Sequence, residues 1–177
     1  MPIPVVPPPR AIAIAAQDFE PLSFAGFRAH MPMTEARALV SSAGGSLTCK
    51  ATSDPRLREC TGSTRLPTVS RPFRLLISSV RDTAAVIVLT GAVPESDSRR
   101  WVGSLTRGFG TPNHRKDRRV SESWQWIRRS QMLRVIRNEA DGIHETAVTL
   151  TDGPLLDALG PPPPVQQRPG PKKQKPD

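Results

Sequence analysis

The sequence has no tyrosine, two cysteines and no long apolar run. Two cysteines cannot build a disulfide-rich scaffold or supply the four thiolates of a structural zinc site. No stretch approaches the ~20 apolar residues that a membrane-spanning helix needs. Walker A, HExxH and GxSxG sequences are absent, as is any paired catalytic carboxylate arrangement. Gly108-Phe109-Gly110 is not a dinucleotide fingerprint, because Asn113 stands where the third glycine would be and the glycines end a helix instead of opening one. His30, His114 and His144 share no local spacing with one another or with the cysteines, so no metal site is read. No catalytic residue, cofactor or small-molecule substrate is expected, and the protein is read as not an enzyme.

What the 177 residues do contain is proline and positive charge. Twelve of the 20 prolines fall in residues 1–9 and 161–177. Proline fixes φ and removes a backbone donor, so residues 1–20 and 161–177 read as extended, polyproline-like arms. Ala13-Ile14-Ala15 superficially suggests a signal-peptide cleavage site, but the apolar run is short and interrupted by Pro7–Pro9 and Arg10, so no cleavable signal is read. The net charge of +9 is uneven: residues 99–137 carry 11 basic groups against Asp117 and Glu122, a net of +9 on their own.

Between the arms, periodicity predicts structured elements. Thr34–Ala43 reads as a helix with Thr34 as N-cap, an apolar stripe at Ala36, Leu39, Val40 and Ala43, and a stop at Gly44-Gly45. Ser46–Ala51, Leu57–Ser63, Phe73–Arg81 and Ala84–Ala92 read as strands, with Val86–Leu89 as a central one. A second helix starts at Pro94-Glu95-Ser96-Asp97 and aligns Trp101, Leu105 and Phe109. A basic loop over Thr111–Val120 precedes strands at Glu122–Arg129, Gln131–Arg137 and Ile143–Thr151, and Asp152 caps a terminal turn. The expected fold is α+β: two helix-plus-antiparallel-sheet units in tandem, residues 21–93 and 94–160, with helices segregated to one side.

Two features carry alternatives. Cys49 and Cys60 either pair across a hairpin, which fits an oxidising periplasm, or remain two reduced buried thiols. The basic block, chiefly Arg99, Arg100, Arg107, Arg115, Lys116, Arg118, Arg119, Arg128 and Arg129, reads in three ways. With Trp101, Trp124 and Trp126 as stacking platforms it is a nucleic-acid patch. With the tryptophans in the core, the arginines are a solvated face. Against anionic headgroups or acidic partner loops, it is a docking surface.

Met33-Thr34-Glu35-Ala36-Arg37-Ala38-Leu39 and Leu105-Thr106-Arg107-Gly108-Phe109-Gly110-Thr111-Pro112 resemble the helix and helix-ending turn of small bacterial envelope domains. These are the BamE/SmpA-type modules and the related tandem fold of the β-lactamase inhibitor protein. The resemblance covers roughly residues 22–159 and implies a noncatalytic module that binds proteins or braces membrane assemblies. The chain has no lipobox cysteine near its start, so lipid anchoring is not carried over. Its Pro-rich arms and arginine content also resemble the extrinsic polypeptides of the double-ring photosystem of phototrophic gemmatimonads, which tie a reaction centre to its antenna rings.

The resulting expectation is a noncatalytic, membrane-extrinsic accessory subunit that stabilises a bacterial membrane-protein complex, on the periplasmic face. It would dock through the 99–137 basic surface, while Pro161, Pro162, Pro163, Pro164, Lys172 and Lys173 of the C-terminal arm contact neighbouring subunits. The alternative is a nucleic-acid-binding protein that uses the same arginines.

Overall fold

The computed structural model of the chain describes residues 20–67, 69–118, 121–140 and 143–160. Arg119, Pro161–Pro164, Lys172 and Lys173 lie outside the described residues, as do both Pro-rich arms apart from Glu20.

The strongly β-branched segments form long strands and the segments with helical apolar spacing form helices. A short hairpin, β1 (Ser23–Phe24) and β2 (Phe27–Arg28), turns through Ala25-Gly26 and buries Phe24 and Phe27. Helix α1 (Met33–Ser42) then buries Met33, Ala36 and Val40 on one face. Its N-cap is Pro32 and not Thr34. The Met33 N–H donates to Asp82 O (2.9 Å), so a neighbouring turn supplies what a capping side chain would have done. Gly44, at φ +69°, ends the helix, and Gly45 must be glycine because a Cβ there would lie 2.1 Å from Ser63 O.

Four strands follow: β3 (Ser46–Ala51), β4 (Leu57–Thr64), β5 (Phe73–Val80) and β6 (Thr83–Ala92). Helix α2 (Glu95–Phe109) leads to four more: β7 (His114–Arg118), β8 (Ser121–Arg128), β9 (Gln131–Ala140) and β10 (Ile143–Asp152). A final turn of helix, α3 (Gly153–Asp157), is capped by the Asp152 carboxylate, which accepts from Leu155 N–H.

The expected α+β architecture of two helix-plus-sheet units in tandem does not form. The protein is mostly β, and all eight strands after α1 belong to one antiparallel sheet in the order β3-β4-β5-β6-β10-β9-β8-β7. The reason lies in β6, whose Val86-Ile87-Val88-Leu89 run would leave an apolar, unpaired edge if the first four strands closed a sheet of their own. Strand β10 covers that edge, setting Leu150 opposite Ile87 and Val148 opposite Leu89, and all four are fully buried. At about 1.5–3 kcal/mol for each such side chain, this seam is a principal part of the core.

The basic segment expected as a loop over Thr111–Val120 contains strand β7. Strand β9 likewise runs on to Ala140, past the end expected at Arg137. The hairpin turns Arg81-Asp82 and Arg129-Ser130 place both central residues at positive φ, the twist that matches two-residue hairpins, although neither contains glycine.

Both long helices lie on one face of the sheet. That face holds Phe73, Leu75, Ile77, Ile87, Leu89, Trp124, Trp126, Leu133 and Val135, packed with the β1–β2 hairpin and α1. The opposite face is free of α1 and α2.

Candidate functional site

Strand register decides which side chains reach the helix-free face. Successive residues alternate faces, and Ile77, Leu89, Val148 and Val135 point into the core, so their strand neighbours point outward. One outward row runs Thr61, Leu76, Val88, Thr149, Arg134, Gln125 across six paired strands. The next runs Arg74, Thr90, Ala147, Ile136, Ser123, Lys116. The middle of the face is therefore paved with short or β-branched side chains. Leu76 (38% exposed) and Ile127 (40%) are the exposed large hydrophobics among the described residues, and both stand on this face.

The fold disperses the basic block. Arg99, Arg100 and Arg107 lie on α2, where Arg99 pairs with Glu95 (2.5 Å), Arg100 with Asp97 (3.3 Å), and Arg107 donates to Ser104 Oγ (3.0 Å). Its hydrogen bond to Arg99 holds the Glu95 carboxyl below the usual carboxylate range. Arg115 points to the helix side of β7, opposite Trp124, and lies 3.6 Å from Asp117. The Arg128 guanidinium donates to Phe109 O (2.7 Å) and lies 5.4 Å from the Phe109 ring centroid, tying β8 to the end of α2. Arg129 occupies the β8–β9 turn. Arg137 is sequestered between Glu122 and Glu95 with its side chain 10% exposed.

Among the described residues, only Lys116 and Arg118, alternate residues of β7, bring the expected partner-binding charge to the open face. They are joined there by Arg134 of β9, which the sequence reading had not singled out as a site residue. Its signal was present: Leu133 and Val135 are core, so Arg134 between them must face the other way. Lys116, Arg118 and Arg134 line a depression of ≈350 Å³ with Ser121, Ser123, Ile136 and Asn138. None of the three cations forms an ion pair with a described residue.

The tryptophans are core. Trp124 is 7% exposed and Trp126 1%, the latter donating its indole N–H to Gly110 O (2.8 Å). Trp101 is half-buried and packs edge-on to Phe24, ring centroids 5.1 Å apart. None of them stands on the helix-free face as a stacking platform beside Lys116 and Arg118.

Cys49 and Cys60 are opposite one another in the β3–β4 register and form a disulfide. Cys60 is buried and Cys49 accepts a hydrogen bond from Arg37 of α1 (3.0 Å). Among the described residues, no group of three or more His, Cys, Asp or Glu side chains is placed to hold a metal ion. No described helix is long and apolar enough to cross a membrane. Comparison with protein-family models, with curated proteins and with solved structures finds no match to this chain.

Proposed function

We propose that the protein is a noncatalytic accessory subunit that docks through the helix-free face of its sheet onto an acidic surface of a bacterial membrane-protein complex. The observation that carries this reading is the placement of Leu76 and Ile127, the exposed large hydrophobics among the described residues, on the same face as Lys116, Arg118 and Arg134, which form no ion pair with a described residue. A broad face with short and β-branched side chains in the middle, two exposed large hydrophobics and one-signed charge at one end has the composition of a protein-binding surface. Its charge selects an acidic partner and speeds encounter with it. The Cys49–Cys60 disulfide supports the oxidising periplasmic side of the membrane.

The test is isolation of the complex from gently solubilised membranes using the full, disulfide-intact chain, washed in moderate salt. Mass spectrometry should identify stoichiometric membrane-complex subunits with the wild-type chain and lose them with Leu76→Glu and Ile127→Glu, which add repulsive charge to exposed positions. Recovery of the chain with nucleic acid, or its release by moderate salt, would overturn the reading.

A further inference from the structure

The depression on the outer side of β7, β8 and β9 is built unlike the rest of the surface. Lys116 and Arg118 enter it from the edge strand and Arg134 from two strands inward, with the Ser123 hydroxyl on the strand between them and the Asn138 amide further along the strand of Arg134. The Ser121 hydroxyl is hydrogen-bonded to Asn138 Oδ1 (2.8 Å), which leaves the Asn138 amide donors for another acceptor. Among the described residues, no carboxylate lines the depression. Around the opposite side of the same strands, a neighbouring depression gathers Asp117, Glu122 and Glu139 about Arg118 and Arg137 and so compensates its own charge.

Arg134 Nε, like His144 Nδ1 and Thr146 Oγ1, is buried with no hydrogen-bond partner among the described residues, and it belongs to a side chain that lines the depression. That is a costly state for a charged donor, and an anionic acceptor in the depression relieves it. Charge on an edge strand deters unwanted strand pairing, and that accounts for Lys116 and Arg118 without any ligand. It does not account for Arg134, which lies on an interior strand and points into the same space.

We infer that this depression is an oxyanion site that takes two neighbouring carboxylates of an acidic peptide segment. The inference rests on the docking reading above for where that segment comes from. The cations come from strands two spacings apart, about 10 Å, so two carboxylates match them better than one compact anion.

The test is titration of the 15N-labelled full chain with tetraglutamate, tetraglutamine and inorganic phosphate, followed by NMR. Tetraglutamate should shift the amides of Ser121, Ser123 and Asn138 saturably, and tetraglutamine should leave them unmoved. Arg134→Gln should weaken binding about 10-fold. Lys116→Gln with Arg118→Gln, both on the exposed edge and harmless to the core, should weaken it about 5-fold. Absence of saturation, or saturation unchanged in both variants, would overturn the site. Tighter binding of phosphate than of tetraglutamate would overturn the carboxylate assignment. Failure here with a complex still captured from membranes sinks only the oxyanion site; tetraglutamate binding with no complex captured sinks only the docking reading.

Discussion

The two edges of the sheet solve the same problem by different means. Strand β3 is anchored covalently: Cys49 is bonded to Cys60 of β4, and α1 packs over that end of the sheet. Strand β7 has no such staple. Its five residues are all exposed, and the hairpin it belongs to is held through β8, whose Trp124 and Trp126 fill the core. Trp126 and Arg128 then tie β8 to the last turn of α2 through Gly110 O and Phe109 O. An edge whose support comes from its neighbour keeps its own side chains free of packing duties. That is why the open-face cations without a described ion-pair partner gather toward β7 and not at β3, where outward Lys50 faces Glu59 across the register.

Removing the aromatic anchor breaks this contrast most severely. Trp126→Ala deletes a side chain that is 1% exposed together with its hydrogen bond to Gly110. It should cost about 3–5 kcal/mol in urea unfolding. Native-state hydrogen exchange should show the loss concentrated in β7 and β8, with β3 and β4 keeping their protection. Equal loss at both edges would mean that the two hairpins do not depend on separate supports.

Removing the staple is the next largest perturbation. The disulfide closes a short loop, with a sequence separation of 11. Cys49→Ala with Cys60→Ala should therefore cost about 2–3 kcal/mol, less than the tryptophan. Exchange at β3 should accelerate toward that of β7 while the Trp126 side of the sheet is unaffected. If reduction changes neither stability nor exchange, α1 alone holds that edge.

How much of this was legible in the sequence depends on whether the information was local. The periodicity of Ala36 and Val40, the β-branched run Val86–Leu89 and the Asp152 cap reflect forces acting within a few residues, and each marks an element that forms. The basic stretch from His114 to Arg118 has no apolar alternation, so nothing local distinguishes it from a loop. It becomes a strand only because β8 offers a paired edge. The expected tandem units failed for the same reason, since the pairing of β6 with β10 joins residues about 60 apart and is decided by what each edge would otherwise expose. Of the candidate site, Lys116 and Arg118 were legible as charge. The grouping with Arg134, and the diversion of Arg99, Arg100, Arg128 and Arg137 to helices and core-side contacts, required the register.

Acid sharpens the comparison with the gentlest perturbation. A hydrogen bond from Arg28 lowers the Glu35 carboxyl, one from Arg56 lowers that of Asp54, and one from Arg99 lowers that of Glu95. Glu35 lies on α1, and Asp54 in the β3–β4 loop, where Asp54 Oδ1 accepts from Arg56 N–H (2.9 Å); both belong to the stapled end of the molecule. A carboxyl whose pKa is lower folded than unfolded binds fewer protons in the native state, so its contribution is complete above the ordinary carboxylate range of about pH 4 and is lost as the pH falls through the depressed values. Stability should therefore be flat from neutrality to about pH 5 and decline below the ordinary range. Glu35 and Glu95 are open to solvent and Asp54 alone of the three is buried, so the decline should be smaller than either mutational effect and should shrink further in salt. The disulfide is indifferent to pH, and it should keep β3 paired to β4 while the Asp54 loop and α1 loosen. Hydrogen exchange below about pH 4 separates these outcomes: loosening of the loop with the β3 ladder intact means that the staple and the ion pairs support different parts of the same edge. Simultaneous loss of both would make the ion pairs the support of the strand itself.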